Sequence, residues 1–158
     1  FNQAQKIFRD EQLSETERQI RGIESLQIFL EQSSQHFLSV VALMQLGDLF
    51  VQQKKWDDAE NTFSKVLAHH QAADYMKNLA RVSLATIYEN QKQWDKAIKI
   101  TETLEEPLWN AIRWKSLARI ALAKGDVETA KINLQQLIKS SEPPVLQQNA
   151  SLLLMQLK

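Results

Sequence analysis

No cysteine occurs in the 158 residues, so disulfides, thiolate–zinc sites and thiol catalysis are excluded within the chain. A cysteine-free chain suits the cytoplasm and a periplasm equally well. Three glycines and three prolines leave little turn chemistry for strands and hairpins. An excess of one charge is missing as well. The 19 basic and 19 acidic residues balance, which argues against a nucleic-acid partner, since that would call for a clustered basic surplus. The longest apolar stretch, FLSVVALM from Phe37, is far too short to cross a bilayer, and no signal peptide is visible. Because the chain opens on Phe1 rather than Met, a targeting or anchoring segment is expected upstream. The membrane would then be met only through an N-terminal anchor outside this chain.

Leu, Ala, Gln, Lys and Glu dominate instead, and all of them favour helix. Together with an ordinary soluble balance of apolar and charged residues, this points to an all-α protein. Charges alternate in sign, as in Lys54-Lys55 followed by Asp57-Asp58 and Glu60, a pattern that solvated helix faces explain.

Three segments align without gaps: LGDLFVQQKKWDDAENTF (46–63), LATIYENQKQWDKAIKIT (84–101) and LARIALAKGDVETAKINL (117–134). After the leading Leu comes a small residue (Gly47, Ala85, Ala118). Ten positions after the Leu stands a bulky apolar residue (Trp56, Trp94, Val127), and thirteen after it an Ala (Ala59, Ala97, Ala130). Two antiparallel helices joined by a tight turn need small residues where their backbones approach. Larger ones, such as Phe50, Tyr88, Phe63 and Leu134, then fill the wedge between pairs, and the residue after the turn closes the end of each hairpin. Lys124-Gly125-Asp126 supplies a helix stop and an N-cap, whereas Lys54-Lys55 and Lys92-Gln93 fill the same slots weakly. A single helix pair cannot bury its apolar face alone, so such pairs stack. The leading leucines stand 38 and 33 residues apart, bracketing the ~34-residue period of the tetratricopeptide repeat.

The flanks extend the scheme. Ile20, Ile23, Leu26, Phe29 and Leu30 recur at helical spacing, and residues 1–9 offer this helix a short partner. Glu142-Pro143-Pro144 separates the last pair from an amphipathic closing helix carrying Leu146, Ala150, Leu153 and Leu157. The expectation is a right-handed α-solenoid of antiparallel pairs with about nine helices. They fall near 2–11, 15–32, 36–53, 56–69, 73–91, 94–105, 109–123, 127–140 and 144–157. One domain would span 1–158, with N-terminal capping helices over 1–35, three pairs over 36–140 and a C-terminal cap over 144–158.

The C-terminal half narrows the resemblance. Pro107 and Trp109, then Lys124-Gly125-Asp126, then Pro143-Pro144 with Leu146, resemble the end of the tetratricopeptide-like domain of the bacterial ancillary Sec-translocon subunit family. That resemblance implies a periplasmic domain held by one N-terminal membrane helix, working beside the translocon and periplasmic chaperones. Its motifs are packing motifs, and the high Gln and Lys content departs from the alanine-rich members.

Catalysis finds little support. His36 stands alone, and His69 and His70, as helical neighbours, would point about 100° apart. No HExxH, GxGxxG, GxxxxGK or GxSxG string occurs, so neither a metal nor a cofactor is expected. Ser33-Ser34 and Ser140-Ser141 read as helix-end caps. Recognition is expected on the surface of the first helices. Its candidates are Asp48 and Gln52 (beside Met44 and Val51), Thr86, Glu89 and Asn90 (beside Val82), and Lys115 and Arg119 (beside Leu122). Arg113 lies near the mouth of a helix, next to Trp109, whose indole is either a lid on the core or a contact. The mixture suits a protein or peptide partner, and Arg119→Glu would abolish binding. Self-association through a terminal edge of Leu153, Leu154 and Leu157 is the alternative, with no translocon role.

Overall fold

A computed structural model describes residues 1–33, 36–104, 107–140 and 144–157. Every regular element among them is helical: Asn2–Phe8 (α1), Glu15–Gln32 (α2), Phe37–Gln52 (α3), Trp56–Ala68 (α4), Asp74–Asn90 (α5), Trp94–Glu102 (α6), a 3-10 turn Pro107–Trp109 (η1), Asn110–Ala123 (α7), Val127–Lys139 (α8) and Pro144–Gln156 (α9). The all-α architecture and the nine α-helices therefore stand as expected, while two helix ends fall short. Helix α1 stops at Phe8, and the Asp10 carboxylate then accepts from the Gln12 N–H at 3.0 Å, a local turn that competes with further helix. Helix α6 stops at Glu102, and the chain restarts as η1 at Pro107. Ser34, Ser141 and Pro143 lie outside the described residues.

Contacts divide the chain into two compact units, Phe1–Ser83 and Leu84–Lys158. In the first, α1 packs on α2, and α3 packs on both α2 and α4. Helix α3 can fill that middle position because it is apolar nearly all round, with Val40, Ala42, Leu43, Leu46, Leu49 and Phe50 buried. Gly47 belongs to the same helix for a steric reason. A Cβ there would lie 2.6 Å from Cζ of Phe63, whose ring is completely buried. Helix α2 starts with a capping box that its sequence encodes as Ser14-x-x-Glu17. The Ser14 hydroxyl accepts from the Glu17 N–H at 3.3 Å, and the Ser14 N–H donates back to the Glu17 carboxylate at 3.0 Å. The hydroxyl's own hydrogen goes to that carboxylate at 2.8 Å, and these bonds together hold the Glu17 pKa below the usual carboxylate range.

In the second unit, α6 packs on α7, α7 on α8, and α8 on α9. Ala111, Ala118, Leu134, Leu137 and Ala150 form the centre, and Trp114, Ile138, Leu146, Leu153, Leu154 and Leu157 close around it. Leu153, Leu154 and Leu157 are thus directed at the core of their own unit, not at an outer edge. Among the residues after each turn, Trp56 and Trp94 are half-buried, whereas Val127 is 37% exposed.

The three turns are alike in backbone despite unlike sequences. Lys54, Lys92 and Gly125 all take positive φ, at 56°, 57° and 79°. In each, the next N–H reaches back to a carbonyl five residues earlier: Lys55 to Phe50 at 2.9 Å, Gln93 to Tyr88 at 2.8 Å and Asp126 to Ala121 at 2.9 Å. This is a Schellman closure. Only the third turn has the glycine that this conformation favours, and only there does the next residue cap the following helix, Asp126 accepting from the Thr129 N–H at 3.0 Å.

Candidate partner-binding surfaces

The first-helix candidates separate into different situations. On α3, Asp48 and Gln52 are exposed. Partial desolvation nevertheless raises the Asp48 carboxyl above its ordinary pKa. Gln52 is not idle, since its side-chain carbonyl accepts from the Gln19 amide of α2 at 3.3 Å. On α5, Thr86 and Asn90 are exposed, and the Asn90 amide donates to the Thr86 carbonyl at 2.8 Å.

Glu89 of α5 and Arg119 of α7 are brought together. The guanidinium donates through Nε at 2.7 Å and through a terminal nitrogen at 2.8 Å to the two carboxylate oxygens. Such a fork-to-fork pair fixes geometry as well as charge, and it raises the Arg119 pKa further. Arg119→Glu would therefore set two carboxylates against each other and disturb the helix pair itself, so it is a poor test of partner contact. Lys115, on α7, is exposed and carries that test better.

Trp109 is 3% exposed, so its indole takes the core-lid role of the two that its position allowed. Arg113 is half-buried and lies over the Trp114 ring at 4.4 Å. It faces a groove of the second helices rather than the first-helix candidates.

Two such grooves have the same construction. A furrow of about 600 Å³ is lined by Gln27, Leu30 and Glu31 of α2, by Leu43, Leu46 and Phe50 of α3, and by Asp58, Asn61, Thr62 and Lys65 of α4, with His69 at its end. Another of about 240 Å³ is lined by Ile98 and Glu102 of α6, by Arg113, Trp114, Leu117 and Ala121 of α7, by Lys124 and Asp126 of the turn, and by Thr129 and Asn133 of α8. Five slots correspond through the repeat: Leu43 with Trp114, Leu46 with Leu117, Phe50 with Ala121, Asp58 with Thr129, and Thr62 with Asn133. Each is a second helix, a first helix as floor, and the next second helix, which leaves an apolar bottom under a polar rim. Attention to the first helices misses these furrows. The polar residues twelve and sixteen positions after Leu46 (Asp58, Thr62) and Leu117 (Thr129, Asn133) are the signal that marks them, and the second segment lacks it, with Ile100 at the latter slot.

His69 and His70 depart from the helical expectation. Their rings stack at 5.2 Å with 6° between planes, because α4 ends at Ala68 and the 100° helical offset no longer applies. His69 is buried, and its Nδ1 accepts from the Gln71 N–H at 3.2 Å, a local bond that holds the chain as it leaves α4. Among the described residues, no three His, Asp or Glu side chains gather where a metal ion would sit, and no helix is long and apolar enough to cross a membrane.

A family model described as a tetratricopeptide repeat-like domain matches residues 2–114, most of the chain and all of its first unit but Phe1. No curated protein matches the chain significantly.

Proposed function

The chain belongs to the tetratricopeptide repeat-like domain family, and from that premise we propose that it is a non-enzymatic protein-interaction scaffold reading its partner with the first-helix face. Domains of this kind are interaction modules. The observation that carries the proposal is the Glu89–Arg119 fork, which ties α5 to α7 and leaves Thr86, Asn90 and Lys115 exposed around a rigid, mixed-charge centre. Asp48 and Gln52 on α3 are a separate candidate set, within the first unit. A surface with both charge signs and few aromatics suits a modest contact with a folded protein or a mixed peptide better than a phosphopeptide or a proline-rich ligand.

The finer reading is a periplasmic domain of a membrane-anchored protein, associated with the translocon or a periplasmic chaperone. Its support is the arrangement of Pro107, Trp109, Lys124-Gly125-Asp126, Pro144 and Leu146. A photo-crosslinking residue placed in turn at Thr86, Asn90 and Lys115, with Asn61 in the second-helix groove as comparison, tests both levels in cells. Adducts with a translocon subunit or periplasmic chaperone from the first-helix positions are expected. Adducts from Asn61 alone would move the site to the groove. Adducts only with unrelated proteins would end the translocon reading, and no adduct from any position would end the scaffold reading.

A further inference from the structure

Helix α9 carries no charged residue in Pro144–Gln156, and its two long faces are both apolar. The inner face, Leu146, Ala150, Leu153 and Leu154, with Leu157 just past the helix end, closes the core of the second unit. The outer face presents Val145 at 64%, Leu152 at 53% and Met155 at 64% exposure, with Gln148 exposed between them. The solvated side of a helix is ordinarily polar and charged. That of α9 is not.

The exposed stripe has a definite grammar. Val145, Gln148, Leu152 and Met155 follow the alternating spacing of three and four that forms the seam of a helical coiled coil, two heptads long. The flanking positions hold Asn149, Ser151 and Gln156, which are also uncharged. The stripe is self-complementary when reversed. Laid antiparallel about a two-fold axis level with Ala150, Val145 meets Met155 and Gln148 meets Leu152, each pairing occurring twice. An isologous contact places the same patch on both partners, so like charges would oppose each other near the axis; a chargeless patch avoids that cost.

We infer that α9 is a homodimerisation surface on which a second copy of this chain docks antiparallel, through Val145, Leu152 and Met155, with Gln148 setting the register. Thirteen residues make a small interface, so the association is weak and concentration-dependent. It is distinct from the first-helix face and does not depend on how that face is used.

Sedimentation velocity from micromolar to near-millimolar concentration tests this on the 158-residue chain. The expected result is a mass rising from 18.2 kDa toward twice that value. Leu152→Lys, at a half-exposed position that leaves the inner face untouched, should hold the protein at the monomer mass with unchanged helical circular dichroism. With no native cysteine, the double variant V145C/M155C should form a disulfide-linked dimer under mild oxidation, while V145C alone should not. A monomer at every concentration, or a dimer that survives Leu152→Lys, would overturn the proposal. Cross-linking of V145C alone as efficiently as the double variant would overturn the antiparallel register.

Discussion

Gly47 shows how one hydrogen atom in place of a methyl group decides a helix–helix distance. Gly→Ala inside a helix ordinarily gains about 1 kcal/mol. Here the new Cβ would press on the Phe63 ring, which is fully buried and has nowhere to swing. Gly47→Ala is therefore expected to destabilise the first unit by about 1–3 kcal/mol, the usual cost of overpacking. The third segment carries its own remedy, since Ala118 and Leu134 occupy the same two slots and pack in one core. G47A/F63L should recover most of the loss, and urea denaturation of the single and double variants measures the coupling. Parent-like stability of Gly47→Ala would show that the ring is not seated on the glycine.

Asp126 gives a pH signature of its own. The hydrogen bonds from Thr129 hold its carboxyl below the usual range. A depressed folded-state pKa contributes stability that is present above the unfolded value and is lost as pH falls through the folded one. Acidification below about pH 4 should thus weaken the start of α8, with Glu17 at α2 acting in the same direction. Asp126→Asn keeps a cap acceptor without a titrating group, so its melting temperature should vary less with pH across that window. An unchanged slope would remove Asp126 from the account.

The three turns share one backbone path, yet two of them are built from residues that do not favour it. A non-glycine residue in the left-handed region costs about 1 kcal/mol or more. Gln93 caps nothing with its side chain, and its Oε1 is buried with no hydrogen-bond partner among the described residues. Lys92→Gly with Gln93→Asp would write the third turn's solution into the second, with Lys96 at the position that Thr129 holds. The pair should stabilise the protein by about 1–2 kcal/mol, read as a raised thermal midpoint. No gain would mean that the unfolded chain, not the turn, dominates at this site.

These turns also mark how far the residues alone could be read. The helices were legible because their small and apolar residues recur at fixed offsets, and stacking leaves no other use for them. Closure at Lys54 and Lys92 was not legible, since neither side chain favours a positive φ; the bonds from Lys55 and Gln93 impose it. The stacking of His69 on His70 is not legible for a related reason, because helical periodicity stops at Ala68 and no longer sets their directions. Of the candidate contacts, sequence phase found residues on the first helices but not the Glu89–Arg119 fork, which pairs residues 30 apart. The furrow over α3 stayed hidden because one wall, α2, lies outside the aligned segments.

For the molecule as a whole, the expectation of one domain over 1–158 becomes a proposal about cooperativity. Helix α5 belongs to both compact units, its residues 74–83 to the first and 84–90 to the second. A seven-residue stub is far below the ~12–15 residues an isolated helix needs to persist in water. Loss of the first unit would therefore strip the second of the helical turns that hold Glu89 against Arg119. Through this shared helix the two units are expected to melt together. The four tryptophans report on this without further substitution, since Trp56 lies in the first unit and Trp94, Trp109 and Trp114 lie in the second. With 5-fluorotryptophan incorporated, each gives its own fluorine resonance during urea unfolding. Coincident midpoints for all four are expected. A Trp56 midpoint separated from the other three would mean that the units unfold independently and that α5 frays at its middle instead of coupling them.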